Sequence, residues 1–519
     1  MTVAAAWEGR IGILADPHLH AIETGAAFGR PGQHMLRSLN DTLHSTRVFN
    51  ESEPALRAAL DEMAAKGITL ILILGDMTDD GQTPNWEAAA TILRDYEARA
   101  GMRFFLTPGN HDQWVNGDLV QTKEFSAEDG SVFSVSSAPD NGNDATAAMQ
   151  RLSYAQMFPH ASGFGFAPHP DDLLWETPFG TDPAVESRMG AIATDDAETI
   201  FVPDLSYLAE PVAGLWILSI DASVYWPDPA SNKGDWRDGS SEGWAAVLQR
   251  KSWLLDWMAT VSARAERLGK RLVTFSHYPV LDVLNGASGQ MDAGGKRRMM
   301  PNDGIAARIA STGIGLHFSG HWHLNRSATR LATPDAPALT NIAAPSTVGY
   351  PAGWKELDLQ GNTAEITTHL LMNAAGRDHI NDAYRMAGAK LPEAEDYQSF
   401  LRWHLTRLVF LRHLPRDWED GFAELLATST LADLIEEEDF TQSAAEISGL
   451  TAISDLYLLE RAGTLAQVPK ERLALYQGLP PSNAAGPAAR LLSTLHKHAN
   501  SAPDNHLRID LVTGALTAV

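Results

Sequence analysis

The sequence predicts an α/β fold that begins with a parallel sheet and ends in helices. Between residues 11 and 106, short apolar runs alternate with segments of helical spacing. Alternation of this kind is typical of βαβ units, in which successive strands are parallel. After about residue 371 the apolar spacing is helical and no strand is evident. We therefore expect an α/β domain followed by a helical region.

The first three strands are predicted at Ile11–Ala15, Ile68–Leu74 and Met102–Leu106. The second run is apolar throughout, which favours a strand buried on both faces. The intervening segments Ser52–Lys66 and Trp86–Arg99 place apolar residues on one helical face. The order is thus strand, helix, strand, helix, strand.

Residues 113–199 lack this regularity and are rich in Gly, Asp, Ser, Asn and Pro. A loop of this length is usually functional or disordered. Scattered aromatic residues favour a folded insertion, either with a small core of its own or with rings that stack on a base.

Regular patterns return after the insertion. A helix is predicted at Trp244–Leu268 and further helices after residue 371 at Tyr397–Leu411, Trp418–Ala427 and Ala444–Leu459. The later strands are predicted at Thr199–Val202, Leu215–Ile220, Arg271–Phe275, Ile314–Phe318, Ala338–Ala343 and Ala364–His369. We expect two domains, residues 1–372 and a helical C-terminal domain of residues 373–519.

The composition disfavours several classes of partner and excludes several kinds of site. The chain has 519 residues, of which 44% are hydrophobic and 20% charged, as in soluble globular proteins. Its net charge of −25 disfavours nucleic acid and anionic membranes as partners. An anionic substrate would need a local positive source, such as a bound metal ion. The chain has no cysteine, which excludes disulfides, cysteine-based zinc sites and a thiol nucleophile.

The first residues predict no targeting segment. Met1–Gly12 has Arg10 as its single basic residue and no long apolar stretch, unlike a signal peptide. No run approaches the roughly 20 apolar residues that a membrane-spanning helix needs. We therefore expect a cytoplasmic protein.

Asp, Asn and His residues follow apolar runs at five places. Side chains two apart on an extended segment share a face, so Asp16 with His18, and His321 with His323, can each reach one ion. A carboxylate such as Asp76 at the end of a buried strand is costly unless it is paired or metal-bound. The five segments are Asp16-Pro17-His18, Gly75-Asp76-Met77-Thr78-Asp79, Gly109-Asn110-His111-Asp112, His277 and Gly320-His321-Trp322-His323.

Each segment taken alone has a simpler interpretation. Asp16 and His18 could form an ordinary buried pair, and Asp79 could either orient neighbouring ligands or form the turn before Gly81. His317 lies inside a predicted strand and is expected to be a core residue. The fixed order of all five segments, each at a strand end, favours two metal ions.

These segments resemble the calcineurin-like metallophosphoesterase family, whose pattern is D-x-H, G-D-x-x-D, G-N-H-[DE], H and G-H-x-H. The resemblance covers about residues 10–370 and implies a four-layer α-β-β-α sandwich. It implies two metal ions of unresolved identity (Mn, Fe or Zn). One would be held by Asp16, His18, Asp76 and His323, and the other by Asp76, Asn110, His277 and His321. His111 would be the catalytic histidine, oriented by Asp112.

The resemblance implies a dinuclear metal-dependent phosphoester hydrolase. A metal-held hydroxide would attack phosphorus, and His111 would protonate or hydrogen-bond the leaving oxygen. We expect a phosphodiesterase acting on a small soluble substrate of the cyclic nucleotide or glycerophosphodiester type. A phosphomonoesterase or nucleotide pyrophosphatase is the alternative, and a non-catalytic binding scaffold is the alternative of another class. A redox dinuclear enzyme would need more carboxylates.

Two further residues are candidates for contact with substrate. His20 lies two residues beyond His18 and could instead have a loop or surface role. Arg297 belongs to a basic trio in a Gly-rich loop, where a solvated role is the alternative. The expected partner is a small phosphoester, and a homo-oligomer is left open.

Overall fold

Two seven-stranded mixed sheets form the centre of the protein. The computed structural model describes residues 6–117, 119–127, 130–138, 144–231, 235–287, 300–334, 336–374, 377–386, 390–392, 394–435, 444–479 and 486–519. The strands of the two sheets, in chain order, are β1 (Gly9–Leu14), β2 (Leu70–Ile73), β3 (Arg103–Leu106), β4 (Leu174–Glu176), β5 (Tyr207–Val212), β6 (Leu215–Ile220), β7 (Arg271–Ser276), β8 (Leu316–Ser319), β9 (Arg326–Arg330), β10 (Leu339–Ala343), β11 (Gly353–Gln360), β12 (Thr363–Leu370), β13 (His506–Asp510) and β14 (Leu516–Ala518).

The first sheet has the strand order β14-β13-β12-β11-β1-β2-β3, and the second has β9-β10-β8-β7-β6-β5-β4. Strands β1, β2 and β3 are parallel neighbours, as the sequence predicts. In the second sheet, β6, β7, β8 and β10 are parallel neighbours. The carboxyl ends of these parallel strands collect at one edge of each sheet, where ligand sites of α/β folds usually lie.

The helices fall into an early group around the sheets and a later group near the C-terminus. The predicted helix Trp244–Leu268 is interrupted at Lys251, because the buried Lys251 ammonium donates to Asp204 at 2.8 Å instead of facing solvent. The helices are α1 (Leu39–Leu43), α2 (Ser52–Ala65), α3 (Thr83–Ala100), α4 (Tyr154–Ala161), α5 (Trp244–Arg250), α6 (Trp253–Leu268), α7 (Asp303–Ala310), α8 (Arg377–Met386), α9 (Tyr397–Leu408), α10 (Leu414–Asp417), α11 (Phe422–Thr428), α12 (Gly449–Ala462), α13 (Lys470–Gly478) and α14 (Pro487–Ala499).

Alternating side chains build the layers of the sandwich. Ile217 of β6 belongs to the large core that also contains β1, β2, β3, α2 and α3. Its neighbours Trp216 and Leu218 face the other way and pack with Leu254 and Met258 of α6. Successive strand residues point to opposite faces, so the second sheet is covered on both sides. The predicted α-β-β-α sandwich is therefore confirmed.

The insertion is folded over its described residues. Thr122–Ser126 and Val132–Ser136 pair in a four-stranded sheet completed by Leu36–Arg37 and Asp144–Ala145. Phe125 is part of a small separate core with Phe28, Met35, Val135 and Met149. Residues near the end of the insertion contribute β4 to the second sheet.

The C-terminal region is helical up to residue 499, as expected, and then returns to the first sheet. Strand β13 pairs with β12, and β14 adds the edge. The sequence does not predict these two strands: only Leu507 and Ile509 are buried in β13, and this pattern is too short to predict a strand. Within the described residues, no helix is both long and apolar enough to cross a membrane.

Candidate metal centre

The predicted ligands follow the carboxyl ends of β1, β2, β3, β7 and β8. Asp16, His18, Asp76, His321 and His323 all have positive backbone φ angles, between 44° and 68°. Non-glycine residues rarely adopt this conformation, and its cost is tolerated mainly at functional sites. The turns after the strands thus aim these side chains at a common point.

Glycines allow the turns to approach one another. A Cβ added at Gly109 would lie 2.2 Å from the Asp76 backbone nitrogen, and one at Gly320 would lie 2.6 Å from an Asp16 carboxylate oxygen. Both distances are shorter than any carbon contact that a folded protein accepts. Glycine is therefore required where the ligand-bearing turns meet.

Four donors form one cluster. The Nδ1 atom of His277 donates to the Leu74 carbonyl at 2.8 Å, so in the neutral ring Nε2 carries the lone pair. This Nε2 lies 3.1 Å from Asn110 Oδ1, 3.3 Å from His321 Nδ1 and 3.3 Å from Asp76 Oδ2. Asn110 Oδ1 is also 3.0 Å from His321 Nδ1. A single proton on His277 could form a hydrogen bond to only one of these atoms. Four atoms with lone pairs, all close together, are typical of a site that binds a cation.

A second cluster adjoins the first through Asp76. His18 Nε2 and His323 Nε2 are 3.1 Å apart, and the same His18 atom is 3.6 Å from Asp76 Oδ2. Asp16 Oδ1 lies 3.8 Å from His323 Nε2. The backbone N–H of His321 donates to both Asp16 oxygens, at 2.9 and 3.1 Å. Asp76 Oδ2 therefore lies near both clusters.

The electrostatics of these residues fit bound cations. Burial lowers the pKa of His323 well below its usual value and that of His321 to about 3, which keeps both imidazoles neutral. Burial also raises the pKa of Asp16 to about 8, so this carboxyl group needs a positive partner to ionise. The Nδ1 atoms of His18 and His323 are buried without a hydrogen-bond partner among the described residues. Neutral imidazoles, an amide oxygen and carboxylates suit Mn, Fe or Zn.

His111 lies beside the second cluster. Its ring centroid is 5.0 Å from that of His18, and its backbone N–H donates to Asp76 Oδ1 at 2.7 Å. Its Nδ1 is 2.5 Å from Asp80 Oδ1 and 3.4 Å from an Arg47 nitrogen. Because Asp80 holds Nδ1, the other ring nitrogen is left for a substrate.

Comparison with protein families finds a match in the N-terminal part of the chain. The sequence model of the family described as calcineurin-like phosphoesterase matches residues 9–177. Residues 9–177 belong to the calcineurin-like phosphoesterase family. The matched residues contain Asp16, His18, Asp76 and Asn110, together with His111.

Similar solved structures are distant. A dimetal phosphatase from Danio rerio is 13% identical, with a TM-score of 0.32, over 70% of this chain and 96% of that chain. GAP50, described as the anchor in the inner membrane complex of Plasmodium, is 10% identical with a TM-score of 0.30, over 70% and 84% of the respective chains. A comparison with curated proteins finds no match. The family assignment therefore rests on the match of residues 9–177.

The structure of this phosphoesterase corrects the expected role of Asp112. Asp112 is buried and accepts hydrogen bonds from the Gly109 and Thr78 backbone N–H groups, both at 3.0 Å. It ties the two ligand-bearing turns together, while Asp80 contacts the His111 ring. Because the Asp112 carboxylate is engaged by the Gly109 and Thr78 backbone, it does not orient the neighbouring His111.

Asp79 is neither a ligand nor a simple turn residue. It is fully buried, and its carboxylate pairs with Arg37 at 2.8 Å, Lys123 at 2.6 Å and Arg47 at 2.5 Å. His18, Asp79 and His111 also come close enough to suggest a third metal position. We discount that position because three cationic side chains already occupy Asp79.

The two substrate candidates fare differently. His20 is buried away from the clusters, 2.6 Å from the Met35 carbonyl, and burial lowers its pKa to about 4. The expectation that it contacts substrate is therefore wrong, because its ring turns into the insertion beside Phe125. Arg297 lies outside the described residues. His317 is a core residue, held by Ser276 and Asn341, as expected.

A cavity of about 350 Å³ opens over the metal ligands. Its walls include Arg47, Arg412, Arg416 and Arg461. Sequence analysis missed all four, since none belongs to a motif and three lie in the C-terminal region. Only a local excess of arginine over lysine in residues 402–416 could have drawn attention to two of them.

Proposed function

We propose that this calcineurin-like phosphoesterase hydrolyses small phosphodiesters with two metal ions. One ion would be held by Asp16, His18, Asp76 and His323, and the other by Asp76, Asn110, His277 and His321. The observation that carries the proposal is the pair of donor clusters that share Asp76 Oδ2, 3.3 Å from His277 and 3.6 Å from His18. Bound there, the ions would lower the pKa of a water nucleophile and neutralise the phosphoryl oxygens.

His111 is placed to act on the leaving group. Although burial opposes ionisation, Lys123 and Arg151 hold the pKa of Asp80 well below its usual range. The resulting carboxylate accepts the Nδ1 proton of His111 at 2.5 Å and so fixes the orientation of the ring. The opposite nitrogen can then donate to the leaving oxygen, which is typical of general acid catalysis.

Arg47 is placed to steady the scissile phosphate. Two atoms of its guanidinium contact Asp79, and a nitrogen lies 3.4 Å from the His111 ring. Planar guanidinium groups bind phosphate oxygens with two parallel hydrogen bonds. Arg47 would orient the phosphorus between the ions and His111.

The size of the cavity supports a small substrate. A volume of about 350 Å³ lies in the range of sites that bind small molecules. Phosphomonoesters and nucleotide pyrophosphate bonds are the second candidates, favoured by the additional arginines. A non-catalytic scaffold is disfavoured because every metal-ligand position of the motif has a residue that can bind a metal ion. The cytoplasmic location and the oligomeric state remain predictions.

The test combines metal analysis with two esters. Protein loaded with Mn, Zn or Fe should contain two ions and hydrolyse bis-p-nitrophenyl phosphate faster than p-nitrophenyl phosphate. Chelation should abolish the activity. The reverse preference would favour the monoesterase alternative, and no hydrolysis of either ester with any metal would refute the proposal.

A variant pair separates ligands from other histidines. His277→Ala should bind less metal, because Nε2 contacts three other donors. His169→Ala, at an exposed position away from the clusters, should retain both ions.

A further inference from the structure

The cavity over the candidate metal ligands is lined by positively charged side chains. Arg47, Arg412, Arg416 and Arg461 line it, although the chain as a whole carries a net charge of −25. Arg47 is assigned to the scissile phosphate by its contact with His111. The other three arginines come from the C-terminal helices and need a separate explanation.

Arg461 is fixed beside the ligand-bearing turn. It lies at the end of α12, is 7% exposed, and its guanidinium donates to the carbonyl of Trp322, between the ligands His321 and His323. Its own carbonyl accepts from the Asn325 N–H at 2.8 Å. The electrostatic influence of Arg461 also reaches His323, where it adds to burial in lowering the pKa.

Arg412 and Arg416 lie one turn apart after α9. Arg412 sits in a π-helical turn at Val409–His413, a distortion that is frequent at functional sites. Its guanidinium donates to the His44 carbonyl at 2.9 Å. Arg416 contacts Asp417 at 2.9 Å and is 47% exposed at its side chain. The two side chains therefore flank the mouth of the cavity.

These guanidinium groups are close enough to repel one another. Burial and the charges of Arg416, Arg47 and Arg461 together lower the pKa of Arg412 to about 10, while Asp417 opposes the shift. Asp417 lies 2.9 Å from Arg416 and Glu460 lies 3.7 Å from Arg461, but the clustered positive charges still favour the binding of an anion between them. A single phosphodiester carries one negative charge, which the metal ions and Arg47 would meet without the other three arginines.

We propose that Arg412, Arg416 and Arg461 bind a second phosphate group of the substrate, so that the natural ester carries a phosphate besides the scissile one. This inference rests on the proposed function, which supplies the scissile position. Guanidinium groups match phosphate geometry with paired hydrogen bonds, which lysine does not. The C-terminal region would thus select the substrate, while the sheets supply the chemistry.

Binding of three thymidine nucleotides tests the inference. Calorimetry with metal-loaded protein compares the 5′-monophosphate with the 5′-diphosphate and the 3′,5′-bisphosphate, whose second phosphates lie next to or across the sugar from the first. Either the 5′-diphosphate or the 3′,5′-bisphosphate should bind at least about tenfold more tightly than the 5′-monophosphate. Arg461→Gln and Arg412→Gln should reduce that ratio about tenfold.

The matched control is Arg407→Gln, at an exposed position of α9 outside the cavity lining, which should keep the wild-type ratio. A ratio near one in the wild-type protein, or a ratio that Arg461→Gln and Arg412→Gln leave unchanged, would overturn the inference. Hydrolysis of bis-p-nitrophenyl phosphate, measured on the same samples, reports separately on the proposed function. Active protein with no second-phosphate preference would therefore refute only the role of the arginines.

Discussion

Substitution of Asp80 by Asn tests whether His111 depends on this carboxylate. Asp80 Oδ1 lies 2.5 Å from His111 Nδ1, and the two side chains are 18% and 25% exposed. A hydrogen bond to a charged group contributes about 1.5–3 kcal/mol. Because about 1.36 kcal/mol corresponds to a tenfold change in rate, kcat should fall about 10- to 160-fold. KM should change little, since Asp80 would act through His111 and not on the bound ester.

The assay is hydrolysis of bis-p-nitrophenyl phosphate by the single variants Asp80→Asn and His111→Ala and by the double variant. If Asp80 acts through His111, the double variant should be no slower than His111→Ala alone. Asp80 also pairs with Lys123 and Arg151, so its substitution could disturb the fold or the metal site. Metal content and urea unfolding of each variant are therefore measured as controls. Losses of kcat that multiply in the double variant would refute this reasoning.

Three further outcomes follow from the structure. Asp76→Asn should lower the content of both ions, whereas His321→Ala should lower one more than the other; equal loss of both ions in the two variants, by metal analysis, would contradict the bridging role. Burial lowers the pKa of His404 from 6.5 to about 4, so the unfolded chain takes up a proton first on acidification, and stability falls between those values. Between pH 7.5 and pH 5 this residue should lower the free energy of unfolding by about 2 kcal/mol. In urea unfolding, His404→Asn should therefore lose about 2 kcal/mol less than the wild-type protein over this pH range. The same pH dependence in both proteins would contradict the prediction. Arg326→Met, which removes donors to the carbonyls of Leu459 and Glu460, should lower thermal stability and weaken binding of thymidine 3′,5′-bisphosphate, since Arg461 loses its support.

Strands buried on both faces were predictable because a short run of apolar residues is stable only where both of its faces are covered. Leu215–Ile220 has the same bounds in the sequence prediction and in the structure, and its six residues are all buried. The strand His506–Asp510, next to the edge of the first sheet, was not predictable, because its pattern is short and depends on pairing with a distant strand. A sequence pattern reports burial well and long-range pairing poorly.

The metal ligands were predictable for a related reason. Asp16, Asp76 and His277 each follow an apolar strand, and parallel strands bring their carboxyl ends together. The partner of His111 was not predictable, since a choice between Asp80 and Asp112 depends on which way each turn points. Arg412 and Arg461 belong to no motif, and only the packing of the C-terminal helices brings them to the cavity.

Anomalous diffraction from crystals of the Mn-loaded protein tests the central claim most directly. The account predicts two peaks about 3.5–4 Å apart, one among Asn110, His277 and His321 and the other near His18 and His323, with an oxygen of Asp76 bound to both. A single peak, or two peaks that do not share Asp76, would contradict it.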